Sequence, residues 1–273
     1  MKNIFLTIII LTTFTGVVSA QSLPPAANAL YEDAVKQDAK RVKYATDNNA
    51  TIVPTPDGNS FYIQWFPPGA DTINTPLIVT LHGSNGYAFN EFYLWHQQAF
   101  SHHCGIIALQ WYKGKQEYFS DELVYGYIDS ALRSIHYPSK KALLHGFSRG
   151  AARSYALGFL DTHGGNNYFN TIIANSGAAM PGYPLYAKIN AGNYGDHVFE
   201  KMHWILFCGG LDPNPNMSGC VGMSDTKTWL EEQGAAIDLF IQDEKAGHGG
   251  FHQTKAHIDS ALNVYLKNFR DQQ

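Results

Sequence analysis

One pentapeptide of this 273-residue chain has the residue types and spacing of a nucleophile: Gly146-Phe147-Ser148-Arg149-Gly150. It follows a β-rich run, Ala142-Leu143-Leu144-His145. It opens a segment, Arg149 to Leu160, in which Ala152, Tyr155, Ala156 and Phe159 fall at helical spacing. A sharp strand-to-helix turn lifts a serine oxygen clear of the backbone, and only small residues two before and two after fit the bend. The start of the helix also presents backbone N–H groups and the positive end of its dipole where an oxyanion would form.

A serine hydroxyl is a weak nucleophile near neutral pH and needs a base within reach. His248 stands in Gly247-His248-Gly249-Gly250, whose glycines leave room for a substrate. Asp212 stands in Gly209-Gly210-Leu211-Asp212-Pro213. An imidazole can take the serine proton and return it to a leaving group, and a carboxylate can orient that imidazole and stabilise its charged form. Asp225, Asp243 and Glu244 are rival acids, and Asp212 before Pro213 could also start a turn. His252 and His257 are rival bases, and both read as solvated residues on or at the start of the last helix.

These side chains need elements to hold them. Leu77–Leu81, Gly105–Leu109, Ala142–His145, Thr171–Asn175, Trp204–Cys208 and Ile237–Ile241 read as strands, with Phe61–Phe66 ahead of them. Between them lie helical patterns. Pro24–Thr46 is a lead-in helix, and an aromatic helix carries Phe92, Trp95, Ala99 and Phe100. Ser120 caps a helix with Val124, Ile128 and Leu132 inward, Asp225–Glu232 is a short helix, and a final helix carries Ile258, Leu262, Tyr265 and Phe269. Near-continuously apolar strands alternating with amphipathic helices predict an α/β fold, a mostly parallel twisted sheet with helices on both faces. Residues 177–203 have weak periodicity and many Gly, Pro and Tyr, which predicts a small lid or loop insertion.

With nucleophile, acid and base in that order, each on a loop after a strand, the chain resembles the α/β-hydrolase family from roughly Phe61 to Phe269. The resemblance implies a Ser148-Asp212-His248 triad and an oxyanion hole that uses the N–H of Arg149. A second N–H would come from the turn His82-Gly83-Ser84-Asn85-Gly86, with Ser84 the expected donor. That turn is similar to the family's His-Gly turn but lacks the glycine run of many lipases and esterases, so which amide points inward stays open. The implied reaction is carboxylic ester hydrolysis through an acyl-enzyme, without metal or organic cofactor, on a small-molecule or polymer-attached ester such as a decorated polysaccharide or polyester fragment. An exported serine peptidase of the same fold would use the same triad; a catalytically silent binding protein would not need all three residues. No cluster of charged side chains stands near Ser148, Ser84 or His248 to hold a peptide terminus. Tyr87, Trp111, Tyr112 and Tyr183 are the candidate substrate contacts.

Lys2, the apolar stretch Ile4 to Val18 and the small residues Val18-Ser19-Ala20 have the anatomy of a signal peptide, residues 1–20, cut before Gln21. An N-terminal anchor is the alternative, and the stretch is short for a span. The mature part, 21–273, reads as one domain, secreted or periplasmic, with no membrane segment after cleavage. A net charge of -4 lacks the basic footprint of a nucleic-acid binder. Of Cys104, Cys208 and Cys220, the last two flank a loop rich in Pro, Asn and Gly and form the favoured bridge; three buried free thiols are the alternative.

Overall fold

Strands such as Leu77–Leu81 and Gly105–Leu109 are buried at every position, a pattern that requires cover on both faces of the sheet. The computed structural model supplies it and describes residues 23–182 and 184–271. The expected signal peptide and Tyr183 lie outside the described residues.

Eight strands form one sheet: β1 (Thr51–Pro54), β2 (Phe61–Trp65), β3 (Leu77–Leu81), β4 (Gly105–Leu109), β7 (Ala142–Phe147), β8 (Phe169–Asn175), β9 (His203–Gly209) and β10 (Ala236–Asp243). Their order is β1-β2-β4-β3-β7-β8-β9-β10. From β4 to β10 every pairing is parallel, whereas β1 and β2 run antiparallel to their neighbours. A separate hairpin, β5 (Tyr112–Gly114) and β6 (Glu117–Tyr118), projects after β4.

Eight helices cover this sheet among the described residues: α1 (Pro25–Asp47), α2 (Ala88–Ser101), α3 (Asp121–Ser134), α4 (Arg149–His163), α5 (Pro184–Asn190), α6 (Cys220–Glu232), α7 (Gly250–Gln253) and α8 (Lys255–Asp271). On one face α1 packs on α2, and the ring of Trp95 in α2 meets Phe251 of α7. There the Tyr265 hydroxyl of α8 donates to the Lys141 carbonyl at 2.7 Å and accepts from Leu77 N–H. On the other face α3 packs on α4, and Tyr155 of α4 meets Trp229 of α6 edge to face. Ser120 caps α3 as expected, its hydroxyl accepting from Leu123 N–H. Trp95, Trp204, Phe207 and Phe251 are fully buried, each side chain of this size contributing about 1.5–3 kcal/mol by leaving water.

The parallel core follows the apolar runs of the sequence closely. The interval between β8 and β9 holds the short helix α5 and a series of turns. Helix α6 starts at Cys220, five residues ahead of the expected Asp225. No helix among the described residues is long and apolar enough to cross a membrane.

Candidate active site

Ser148 sits between the last residue of β7 and the first of α4, at φ 54° and ψ -115°. A non-glycine residue in such a conformation costs about 1–3 kcal/mol. Its surroundings enforce it: Ser148 N–H donates to the Asn175 carbonyl at 2.8 Å. A Cβ on Gly146 would lie 2.3 Å from the Gly150 carbonyl oxygen, and one on Gly150 would lie 2.5 Å from that of Leu81. Both flanking glycines are therefore steric necessities of the turn.

The other two residues converge on it. His248 Nε2 lies 2.8 Å from Ser148 Oγ, and His248 Nδ1 lies 2.6 Å from Asp212 Oδ2. With the carboxylate accepting from Nδ1–H, Nε2 is left to accept from the serine hydroxyl. The Asp212 side chain is fully shielded from solvent, while His248 is half-buried. The second oxygen of Asp212 accepts from Asn214 N–H and from Ser218 Oγ, each at 2.9 Å. A buried carboxylate left without such partners would be costly.

The acid and base loops are packed on each other through backbone. A Cβ on Gly209 would lie 2.4 Å from the Ala246 carbonyl oxygen, and Gly210 and Leu211 N–H donate to the Asp243 and Ala246 carbonyls. A disulfide joins Cys208 to Cys220 with Cα atoms 5.0 Å apart, closing the loop that carries Asp212; Cys104 is a buried free thiol. The rival acids are engaged elsewhere. Asp243 accepts from Lys245 N–H and faces His257, Glu244 is exposed, and Asp225 lines a cavity of about 600 Å³ beside α5.

Ser84 and Arg149 both border the cleft at Ser148. Arg149 holds the first helical position, where an N–H has no intrahelical acceptor. Its guanidinium turns away and lies over the Tyr118 ring, 4.2 Å from the centroid. The turn that carries Ser84 is clamped from behind. Trp111 indole N–H donates to the His82 carbonyl, Trp111 backbone N–H to His82 Nε2, and His82 Nδ1–H to the Gly83 carbonyl. Burial pulls the His82 pKa down to about 4, which keeps this ring neutral at pH 7.

That clamp corrects part of the aromatic expectation. Trp111 is fully buried and Tyr112 nearly so. Tyr87 packs edge to face on Tyr112 and lines a separate cavity of about 190 Å³ against α1. These three shape the site from behind and do not border the cleft. A second correction concerns His252. It is half-buried under β7 with both ring nitrogens shielded, rather than solvated, because α7 folds inward and not onto the surface. Asn214, Ser218 and Gly177 went unnoticed in the sequence. A Cβ on Gly177 would lie 2.1 Å from the Ser148 carbonyl oxygen. The cleft itself measures about 340 Å³ and is bordered by Ser84, Ser176, Met180, Asn214, Met217 and Ser218 around the reacting pair.

A mostly parallel sheet with a serine turn after its central strand, and an acid and a histidine after the last two strands, defines a recognisable class of α/β architecture. No family model and no curated protein matches the sequence, but solved structures match the fold. One of two fungal esterases from Rhizomucor miehei aligns over 90% of this chain and 96% of its own, with TM-score 0.61 and 13% identity. A bacterial heroin esterase aligns over 91% and 94%, with TM-score 0.61 and 14% identity. A hyperthermophilic esterase from Pyrobaculum calidifontis aligns over 89% and 91%, with TM-score 0.58 and 9% identity. The chain has the α/β-hydrolase fold.

Proposed function

We propose that this protein hydrolyses carboxylic esters through an acyl-enzyme formed on Ser148. The observation that carries the reading is the continuous relay from Ser148 Oγ to His248 Nε2, and from His248 Nδ1 to Asp212 Oδ2. In the proposed reaction Ser148 Oγ attacks the ester carbonyl as its proton passes to His248 Nε2. The oxyanion is met by the N–H groups of Arg149 and Ser84, at the positive end of α4. The imidazolium then protonates the departing alcohol. Water, deprotonated by the same ring, releases the acid. Asp212 holds the ring in the tautomer that both half-reactions need.

The cleft of about 340 Å³ has hydroxyl and amide groups on its walls and Ala152, Ala178, Met180 and Met217 as its apolar contacts. That favours esters with compact acyl groups. The esterases among the structural neighbours agree with an ester substrate. We further propose that the chain works outside the cytoplasm, where the Cys208–Cys220 bridge would persist, in keeping with the signal-like residues 1–20.

The test combines labelling and turnover. A fluorophosphonate should attach to Ser148, and unactivated short-chain esters should be hydrolysed by the wild type and not by Ser148→Ala. Efficient cleavage of natural peptides, with only background turnover of unactivated esters, would replace the ester reading by a peptidase one.

A further inference from the structure

Beneath the nucleophile strand lies a cluster that the proposed reaction does not use. Glu91 of α2, His145 of β7 and His252 of α7 bring one carboxylate oxygen and two imidazole nitrogens within 4.8 Å of one another. The Glu91 and His145 side chains are 2% and 0% exposed. Trp95 and Phe251 wall the cluster with their rings. Among the described residues no Lys or Arg comes within ion-pair distance of Glu91, whose closest basic neighbour is His145. Both ring nitrogens of His252 are buried with no hydrogen-bond partner. A neutral imidazole has one N–H and one lone pair to satisfy, and burying them unmet is destabilising.

We propose that this cluster binds a divalent transition-metal ion of the zinc type, with Glu91, His145 and His252 as its ligands. The donor chemistry selects that class: imidazole with carboxylate suits zinc and its first-row neighbours, whereas calcium and magnesium prefer oxygen alone. The spacing agrees. Bonds of about 2.0–2.2 Å in a tetrahedral site place donors roughly 3.4 Å apart, and His145 Nδ1 stands 3.4 Å from Glu91 Oε2. The Trp95 indole N–H donates to His145 Nδ1, with the Thr80 hydroxyl 2.9 Å from the same atom, so this nitrogen carries a lone pair and not a proton. The ion takes that lone pair over from the indole. An outer partner is in place as well: the Thr80 hydroxyl donates to Glu91 Oε2 at 2.9 Å. Such groups orient metal-bound carboxylates.

The position gives the ion a bracing role. Helix α2 begins two residues after the turn His82–Gly86, His145 precedes Ser148 by three residues, and His252 follows His248 by four. One ion would thus fasten the three segments that carry the oxyanion turn, the nucleophile and the base, without touching substrate. This inference does not depend on which acyl compound the enzyme cleaves.

Glu91 and His145 are closed to solvent and His252 is half-buried, so the test loads the ion during folding. The full chain is unfolded in denaturant with chelator, its disulfide intact, and refolded with and without Zn²⁺ or Co²⁺. Metal content is measured on this material and on protein isolated from zinc-supplemented culture. The expected result is stoichiometric metal, the visible absorption of tetrahedral Co²⁺, and a Tm higher by about 5–10 °C at ion concentrations a hundredfold above Kd. Glu91→Gln and His252→Gln should lose all three, and His257→Gln should keep them. A wild-type protein isolated metal-free, with the same Tm after refolding with either ion as without, overturns the proposal. Undiminished binding by His252→Gln overturns it too, and wild-type refolding decides alone if the variants do not fold.

Discussion

The Cys208–Cys220 bridge can be tested with a magnitude worked from its place in the chain. It closes a loop with a sequence separation of 12. The chain-entropy relation gives about 3 kcal/mol for a loop of this length. For a domain of this size that corresponds to a Tm shift of about 6–12 °C. The perturbation is the pair Cys208→Ala and Cys220→Ala together, since Cys208 is fully buried and a serine there would add an unpaired hydroxyl. Calorimetry of the oxidised wild type against the double variant reads the shift. Ester turnover at 25 °C reads whether Asp212 stays in place. Because Asp212 is also held by Asn214 N–H and Ser218 Oγ, turnover well below Tm should fall far less than it does on loss of Asp212 itself. A double variant that melts with the wild type would refute the loop-closure argument. A variant that melts normally but has lost its turnover would refute the claim that local hydrogen bonds suffice to position the acid.

Other outcomes follow from the same geometry. Ser148→Ala or His248→Ala should each lower kcat by about 10³-fold or more, with a smaller loss for Asp212→Asn; near-normal turnover by either alanine variant would remove the assignment. Gly177→Ala places a methyl 2.1 Å from the Ser148 carbonyl oxygen and should cost about 1–3 kcal/mol by overpacking, measured as a lower denaturation midpoint with reduced activity. Trp111→Phe keeps most of the ring but removes the indole donor to the His82 carbonyl; kcat should drop more than KM changes, and an unchanged kcat would show that the clamp is dispensable. Burial opposes ionisation of Asp57, but hydrogen bonds from Tyr127, Asn59 and Thr55 outweigh it and hold its carboxyl at about 2. Such a depressed carboxylate stabilises the fold above its unfolded-state pKa of about 3.9 and ceases to do so as pH falls toward 2. The Tm difference between wild type and Tyr127→Phe should therefore narrow between about pH 5 and pH 2; a pH-independent gap would contradict it.

The parallel core was readable because its strands are short apolar runs, and a run such as Thr171–Asn175 has few other stable uses. The Ser148 turn was readable because its two glycines answer a local steric demand. What was not readable depends on contacts between distant segments. Strand β1 is four residues long and ends in proline, and the β5–β6 hairpin is mostly polar, so neither has a hydrophobic period. Cys220-Val221-Gly222 looks like loop; Gly222 is required because its Cβ would lie 2.3 Å from the Asn216 carbonyl oxygen, a clash that only the folded loop creates. The burial of His252 depends on Glu91 and His145, more than a hundred residues away in sequence. Trp111 and Tyr112 stand at the strand end that the sequence predicts but behind the oxyanion turn, because the fold determines which flank of that turn faces the cleft.

Strand β10 has one neighbour, β9, and none of its residues is fully buried. Ser148 hangs from β7, with a neighbour on each side, and Asp212 follows β9, which lies between β8 and β10. The three members of the relay therefore rest on parts of the sheet with different cooperativity. Opening a sheet margin needs less free energy than unfolding the whole domain, so the segment that delivers His248 belongs to one of the two less protected margins. On warming, the proton relay should be interrupted while the remaining strands are still paired. Heat inactivation would then be a local and reversible event, and amide protons of β10 should exchange faster than those of β7 before any loss of the global fold.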